Sequence, residues 1–273
     1  MKFKIILIST MLLLLGCSLI NGPNKTTPIS FENYSYPLEV GNSWTYERTT
    51  TYSNIRPDTV QLPIPLIQKG SAIIEVTGID TLGTDNEVFV FHTGAIDSMN
   101  PQTTHTGTFY FKNEEDGMYN YIGTGNSYAL PISQPATRGE FEQRYFNKKE
   151  KDKFSISILN SEIRKSLQYP IKLNDEWTFI DSTGNIFGIN KKIFKYEKVS
   201  TKMGTYNCFI VEWIYDNGSN LILRDYYSTI GLMKRIYIIK NIQVSDYNNN
   251  RFVTADFTDE YNLVEFVAAP KLP

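Results

Sequence analysis

The sequence predicts an all-β protein of antiparallel sheets in two internally repeated lobes, arranged as a sandwich or an open barrel. Three observations carry that expectation. Aromatic residues make up 14% of the 273 residues, with 18 Tyr and 16 Phe, an enrichment that suits strands better than helices. Short alternating runs recur along the chain, separated by clusters of Gly, Asn and Asp, which is how strands and hairpin turns read in a sequence. Finally, the stretch Tyr36-Pro37-Leu38-Glu39-Val40-Gly41-Asn42-Ser43-Trp44-Thr45-Tyr46 returns without gaps 133 positions later as Tyr169-Pro170-Ile171-Lys172-Leu173-Asn174-Asp175-Glu176-Trp177-Thr178-Phe179. A repeat at fixed spacing points to an internal duplication.

Within the repeated motif, Leu38 and Val40 stand two apart, as do Trp44 and Tyr46. Ile171 and Leu173, and Trp177 and Phe179, match them. Spacing of two places each pair on one face of a strand. Gly41 and Asn174 share the first turn position, and these residue types tolerate positive φ best. The unit reads as strand, tight turn, strand. Pro37 and Pro170 have no N–H to give to a ladder and suit the start of an edge strand. For Trp44 and Trp177, core burial outweighs the alternative of an aromatic ligand platform.

The chain opens with Lys2 and Lys4, then an apolar run from Ile5 to Leu15 broken by Ser9 and Thr10. That run is too short to span a bilayer and reads as a secretory signal over 1–16 with a signal helix that is cleaved off. Leu14-Leu15-Gly16-Cys17 resembles the lipobox of bacterial lipoproteins. The resemblance implies cleavage between Gly16 and Cys17, a diacylglycerol thioether on Cys17, and N-acylation by a chain such as palmitate. Two or three acyl chains make a lasting membrane anchor. Residues 17–33 then comprise the lipidated Cys and a polar tether broken by Gly22, Pro23 and Pro28. From Ser18 to Ser30 the tether reaches about 40 Å when extended. Ser18 is not Asp, which by the same resemblance favours the outer membrane of a bacterial envelope.

The folded part starts at Tyr34. A first β lobe is expected over 34–146 and a second over 147–273, sharing a core or one continuous sheet; the alternative is two independent domains. In the first lobe, the strand beginning at Trp44 leads through a Thr/Tyr run to Tyr52. An irregular stretch follows from Arg56 to Pro65. Strands are expected at 71–78 and 87–93, a loop from Ala95 to Thr106, and a hairpin pairing 108–112 with 118–122 over a turn that ends in Gly117. A Glu-rich then Lys-rich stretch near 139–152 is the one helix candidate. In the second lobe, a turn over Asp181–Asn185 precedes a Lys-rich strand that runs to Lys198. Gly204 to Trp213 is apolar on both faces and reads as a central strand. Asp216–Asn220 turns into Leu221–Tyr227, Gly231 opens the next strand, and Tyr247–Asn250 separates 236–244 from 251–267.

Pro37-Leu38, Gly41 and Trp44-Thr45-Tyr46, followed by Gly204-Thr205-Tyr206 and Cys208, then by Tyr226-Tyr227 and Gly231-Leu232-Met233-Lys234, resemble a broad group of uncharacterised bacterial envelope lipoproteins. Its members begin with Pro-Leu-x-x-Gly-x-x-Trp-x-Tyr. The resemblance covers most of the mature chain through short motifs. It implies an antiparallel β fold exposed to the periplasm or the cell exterior, and no catalytic residue is carried over with it.

Chemistry leaves few marks. The formal charge is −2, and it becomes −4 once Lys2 and Lys4 leave with the signal. Without a basic run there is no case for nucleic-acid binding. The chain carries no nucleophile elbow, zinc-protease, phosphate-loop or dinucleotide pattern. His92 and His105 lack a third metal ligand, so they read as strand or loop positions. Glu114-Glu115-Asp116, Asp175-Glu176, and Asp216 with Asn217 and Asn220 read as solvated turn residues rather than as acid–base or calcium sites. Cys208 reads as an inert buried thiol. No cofactor, catalytic residue or metal is expected. Three readings of function remain. The first is a non-enzymatic, membrane-anchored binder of an apolar ligand, glycan or protein partner through a sheet face. The second is a structural accessory acting through edge strands. The third, and weakest, is a hydrolase with a carboxylate site.

Overall fold

A computed structural model of the chain describes residues 30–58, 66–82, 86–97, 104–125, 163–182, 188–216, 221–246 and 251–270. Phe31–Pro273 form one compact unit, and the regular structure among its described residues is strand throughout. The strands are β1 (Ser43–Arg56), β2 (Ile67–Leu82), β3 (Asn86–Asp97), β4 (Thr104–Glu114), β5 (Gly117–Gly125), β6 (Arg164–Gln168), β7 (Glu176–Ile180), β8 (Ile189–Thr201), β9 (Gly204–Tyr215), β10 (Leu221–Ser228), β11 (Gly231–Asp246) and β12 (Arg251–Val267). All ladders are antiparallel, and the order is β6-β5-β4-β3-β2-β1-β12-β11-β10-β9-β8-β7. Each strand therefore lies beside its sequence neighbours, and β12 returns to pair with β1. The sheet runs round into a nearly closed, barrel-like curve whose break falls between β6 and β7.

The duplication is built into this order. β1–β6 and β7–β12 are two six-stranded meanders, and each opens with one copy of the repeated motif. They join through the long β1–β12 ladder, from Ser43 opposite Val267 to Arg56 opposite Thr254. The two halves thus belong to one sheet. The 146/147 boundary, the helix candidate at 139–152, the signal over 1–16 and the Gly16–Cys17 cleavage site all lie outside the described residues.

Alternation decides which face is buried. On β1, Trp44, Tyr46, Thr50 and Tyr52 are buried, whereas Glu47, Thr49 and Thr51 face outward between them. β12 buries Phe257, Asp259, Tyr261 and Leu263 and turns Thr258, Glu260 and Asn262 the other way. An outer face carrying Glu and Asn at mid-strand is the reverse of a lipid-facing barrel, where apolar residues point outward. Among the described residues, no helix is long and apolar enough to cross a membrane.

Several expectations change in detail. The motif is not strand–turn–strand. Its first pair lies in a coiled lead-in, and only the second pair is in a strand. The lead-in bends at once, with Leu38 N–H donating to the Tyr36 carbonyl at 2.7 Å, so Leu38 is half-buried and Val40 exposed rather than sharing a face. β3 and β4 extend into the expected loop, to Asp97 and from Thr104. The compact unit starts three residues before Tyr34 because Phe31 is buried against Phe209, with ring centroids 5.0 Å apart. Gly117 serves packing more than turn geometry. A Cβ there would lie 2.3 Å from the Leu167 carbonyl oxygen, so only glycine lets β6 approach β5.

The two ends of the sheet differ. At one end the connections are short: 3 residues after β2, 2 after β4, 7 after β6, and 2 each after β8 and β10. At the other end 10, 6, 38, 8, 5 and 4 residues separate the successive described strands. The short-turn end is filled by aromatic rings. Trp44 stacks on Phe91 at 6.3 Å, Phe91 meets Phe111 edge-on at 4.9 Å, and Phe209 stacks on Tyr227 at 5.4 Å. The long-connection end holds a second apolar cluster that includes Tyr52, Ile189, Leu223, Ile239 and Phe257.

Candidate functional site

The motif copies are seated alike. Gly41 has φ 101° and Asn174 φ 68°, a backbone turn that brings the next peptide groups onto the neighbouring strand. Gly41 N–H donates to Val76 O at 2.8 Å, and Val76 N–H donates back to Asn42 O at 2.9 Å. In the second copy Asn174 N–H donates to Ile193 O at 2.8 Å, and Ile193 N–H donates to Asp175 O at 2.9 Å. Pro37 and Pro170 lie just ahead of these turns, outside the ladders. Pro37 O accepts from Asn42 Nδ2 at 2.9 Å. Trp44 is fully buried and Trp177 is 7% exposed. Both rings are therefore interior, and neither offers a platform to solvent.

Between the two apolar ends runs a belt of charge. Cross-strand pairing sets Asp225 beside Arg235, Arg235 beside Tyr261, and Tyr261 beside Arg48. In the adjacent row Tyr237 lies beside Asp259, and Asp259 beside Thr50. Arg235 grips Asp225 with two donors, Nε on Oδ1 and Nη2 on Oδ2, the latter at 2.6 Å. Asp225 Oδ2 also accepts from Trp213 Nε1 at 2.9 Å and from the Tyr227 hydroxyl at 3.3 Å. Arg48 grips Asp259 in the same way at 2.8 and 2.9 Å, and Thr50 Oγ1 donates to Asp259 at 2.9 Å. Planar guanidinium–carboxylate forks of this kind engage both carboxylate oxygens away from water, while Arg235 Nη1 is buried with no hydrogen-bond partner among the described residues. Burial works against the Arg235 charge, but Asp225 outweighs it and holds the guanidinium protonated. Burial also pushes the Tyr46 and Tyr227 phenols up, so both remain protonated donors.

Lys191 completes the belt at the sheet's break. It pairs across the ladder with Trp177 on one side and Trp213 on the other, where the first repeat has Ile74 opposite Trp44. Its ammonium carbon chain is buried, and Nζ lies 3.8 Å from the Trp213 ring centre and 3.9 Å from that of Phe179. Nζ donates to Ser166 O at 3.1 Å, and Trp177 Nε1 donates to Lys165 O at 2.9 Å. Two β6 carbonyls facing the break are thus bonded by side chains from the far bank, which blunts an edge that could otherwise recruit another strand.

Burial pushes the Lys191 amine well below the usual lysine range; Asp225 partly opposes this and Arg235 adds to it. The folded state therefore releases this proton more readily than the unfolded chain does. Stability rises with pH between the depressed folded value and the ordinary one near 10.4. Lys191→Met removes that dependence. The stability difference between Lys191→Met and the parent, followed by denaturant unfolding, should shift in the parent's favour as pH rises and level off above about pH 10.4. A difference constant from pH 6 to 11 would contradict it.

The other residues singled out in the sequence stay apart. His92 is exposed on β3, and His105 lies on β4. Cys208 is fully buried, and burial pushes its thiol up to about 12. Asp216 accepts from Gly188 N–H at 2.8 Å; Asn217 and Asn220 lie outside the described residues. Asn190 Nδ2 donates to Glu176 at 3.1 Å. Among the described residues, no three His, Cys, Asp or Glu side chains gather to hold a metal. Glu114, Glu115 and Asp116 do line a shallow outer dish of about 430 Å³ with Tyr119, Tyr121 and Ile163. Two of its three carboxylates are tied up locally. Lys165 meets Asp116 at 2.5 Å, Lys112 meets Glu114 at 2.8 Å, and the Tyr119 hydroxyl donates to Asp116 at 3.0 Å.

The belt itself was missed in the sequence, although it left a signal. Asp225 follows Leu221 and Leu223 on the apolar phase of its strand, and Arg235 precedes Tyr237 and Ile239 on the same phase. A charge in phase with buried residues on two neighbouring strands, with opposite signs, is the pattern of an interior ion pair.

No protein-family model matches the sequence, and no curated protein does. Among solved structures, the chain is similar to a candidate lipoprotein from Parabacteroides distasonis, at 13% identity and a TM-score of 0.37, covering 87% of this chain and 99% of that one. It is also similar to a candidate exported protein with a YmcC-like fold from Bacteroides fragilis, at 10% identity and a TM-score of 0.36, covering 88% and 100%. Superpositions at this level establish neither a shared family nor a function for this chain.

Proposed function

We propose that the chain is a lipid-anchored protein of a bacterial envelope, held in the outer membrane through acylated Cys17, whose β body binds a glycan or protein partner non-enzymatically through its outer surface. The observation that carries the reading is Leu14-Leu15-Gly16-Cys17, set between a short apolar run and a polar tether. Three features of the body support it. The two Arg–Asp pairs of the belt are consumed by each other, and the buried Lys191 amine is held on the Ser166 carbonyl, so none is set as a nucleophile beside a free base. Aromatic rings and ion pairs occupy the described interior, which favours an outer-surface partner over an enclosed apolar ligand. The β6 and β7 edges are turned toward each other and bridged by Trp177 and Lys191, which weighs against an accessory role through edge-strand addition.

Cys17→Ser is expected to block acylation and move the protein from the membrane fraction to the soluble one. Intact mass of the mature protein and fractionation of cells read this directly. A parent protein that is soluble and lacks an acyl mass on Cys17 would sink the anchoring.

A further inference from the structure

We propose that the short-turn end of the barrel rests on the lipid surface, and that the end carrying the long connections points away from it. This rests on the anchoring proposed above. The first described residues of the body fix where the tether leaves. Tyr36 N–H donates to the Tyr169 hydroxyl, that hydroxyl donates to Asn113 Oδ1, and Asn113 Nδ2 donates back to Tyr36 O, each at 2.8 Å. Asn113 sits beside the β4–β5 turn and Tyr169 in the β6–β7 connection, both at the short-turn end. Phe31 and Tyr34 pack on Phe209 at 5.0 and 4.8 Å. The chain therefore enters the body, firmly held, at this end. Only 13 residues, Cys17 included, precede Ser30 from the membrane-embedded position, a reach of about 45 Å at most.

The same rim exposes aliphatic side chains where a water-facing turn would carry polar ones. Val40 is 41% exposed and Leu173 is 49% exposed. They occupy the same position in the two motif copies, ahead of β1 and β7, which are six strands apart in the sheet order. The duplication thus places two apolar contacts on one rim, and Val267, 51% exposed, adds a third where β12 ends beside β1. Charge on this rim leans acidic, with Glu39, Glu115, Asp116, Asp175 and Glu176 against Lys172 and Lys202, so the fitting surface is zwitterionic rather than anionic. Leu66 and Ile67 are exposed at the opposite end, but the tether does not leave from there. Three aliphatic contacts bind weakly alone; a tether that keeps them at high local concentration makes weak contact sufficient.

The test uses the full acylated chain in phosphatidylcholine vesicles whose acyl chains carry a fluorescence quencher. Single cysteines at Lys172→Cys or Thr229→Cys probe the short-turn end, and Asp58→Cys or Ser182→Cys probe the other. Cys208 is buried and does not compete for label. Short-turn probes should be quenched several-fold more than long-connection probes, and Val40→Ser with Leu173→Ser should abolish most of that difference. Equal quenching at both ends, stronger quenching at the long-connection end, or a difference that survives the double substitution would overturn the proposal. So would self-quenching between short-turn probes without lipid quencher, which would assign the rim to a second copy. The acyl mass on Cys17, read on the same samples, separates failure of the anchor from failure of the orientation.

Discussion

Asp225→Ala is expected to cost about 3–5 kcal/mol of stability, the range for stranding one member of a buried ion pair. The carboxylate is fully buried and accepts from Arg235 twice, from Trp213 and from Tyr227. Its removal leaves the Arg235 guanidinium, 1% exposed, with neither water nor counter-charge. Against a typical stability of about 5–15 kcal/mol, a loss of that size should lower the urea midpoint sharply and leave some chains unfolded in buffer. The partner experiment separates the pair's net worth from the cost of breaking it. Asp225→Leu combined with Arg235→Met replaces both charges by apolar groups of similar bulk. Such replacements are often neutral or stabilising, so the double variant should recover most of the loss. A single variant costing under about 1 kcal/mol would mean that water reaches Arg235, and that the belt is wetter than its burial implies.

What the sequence made legible follows from the range of the forces involved. Alternation, Gly41 and Asn174 at positive φ, and the repeated Trp are local features, so the β class, the hairpins and the duplicated seats could be read from neighbouring residues. Strand order is not local. That β12 returns to β1 while β6 and β7 remain unladdered depends on pairing across more than 200 positions, from Ser43 to Val267. Nothing near either residue encodes it. The belt lay between these cases. Asp225 and Arg235 each broke the apolar phase of a strand legibly, but their meeting needed the β10–β11 register. Lys191 was hidden for another reason. It shares the phase of Ile189 and Ile193, but Lys192 stands directly beside it and Lys195 and Lys198 follow, so the strand reads as lysine-rich on both faces. The inward turn of Lys191 between Trp177 and Trp213 needs the β7–β8–β9 register.

Trp44→Ala carries the other large expected effect, about 3–5 kcal/mol as for other buried aromatic truncations. The ring touches Tyr36 at 5.7 Å, Phe91 at 6.3 Å and Phe266 at 5.5 Å, and its Nε1 donates to Ile230 O at 2.5 Å. It therefore ties β1 to the β10–β11 turn across the interior, and its loss opens a cavity bounded by rigid rings that cannot close in. Trp177→Ala should fall nearer the lower end of that range. Its ring faces the break in the sheet, where β6 is held by one ladder and can shift into the space. The sharper distinction comes from Trp177→Phe, which keeps an aromatic ring at the site and removes the donor to Lys165 O together with the nitrogen-bearing half of the indole. Amide exchange should quicken along β6 in that variant and stay unchanged along β1 and β2, because the bridge that is lost is the one across the break. If Trp177→Ala proves costlier than Trp44→Ala, or if β6 exchange does not respond to Trp177→Phe, then the break is closed by contacts other than this indole.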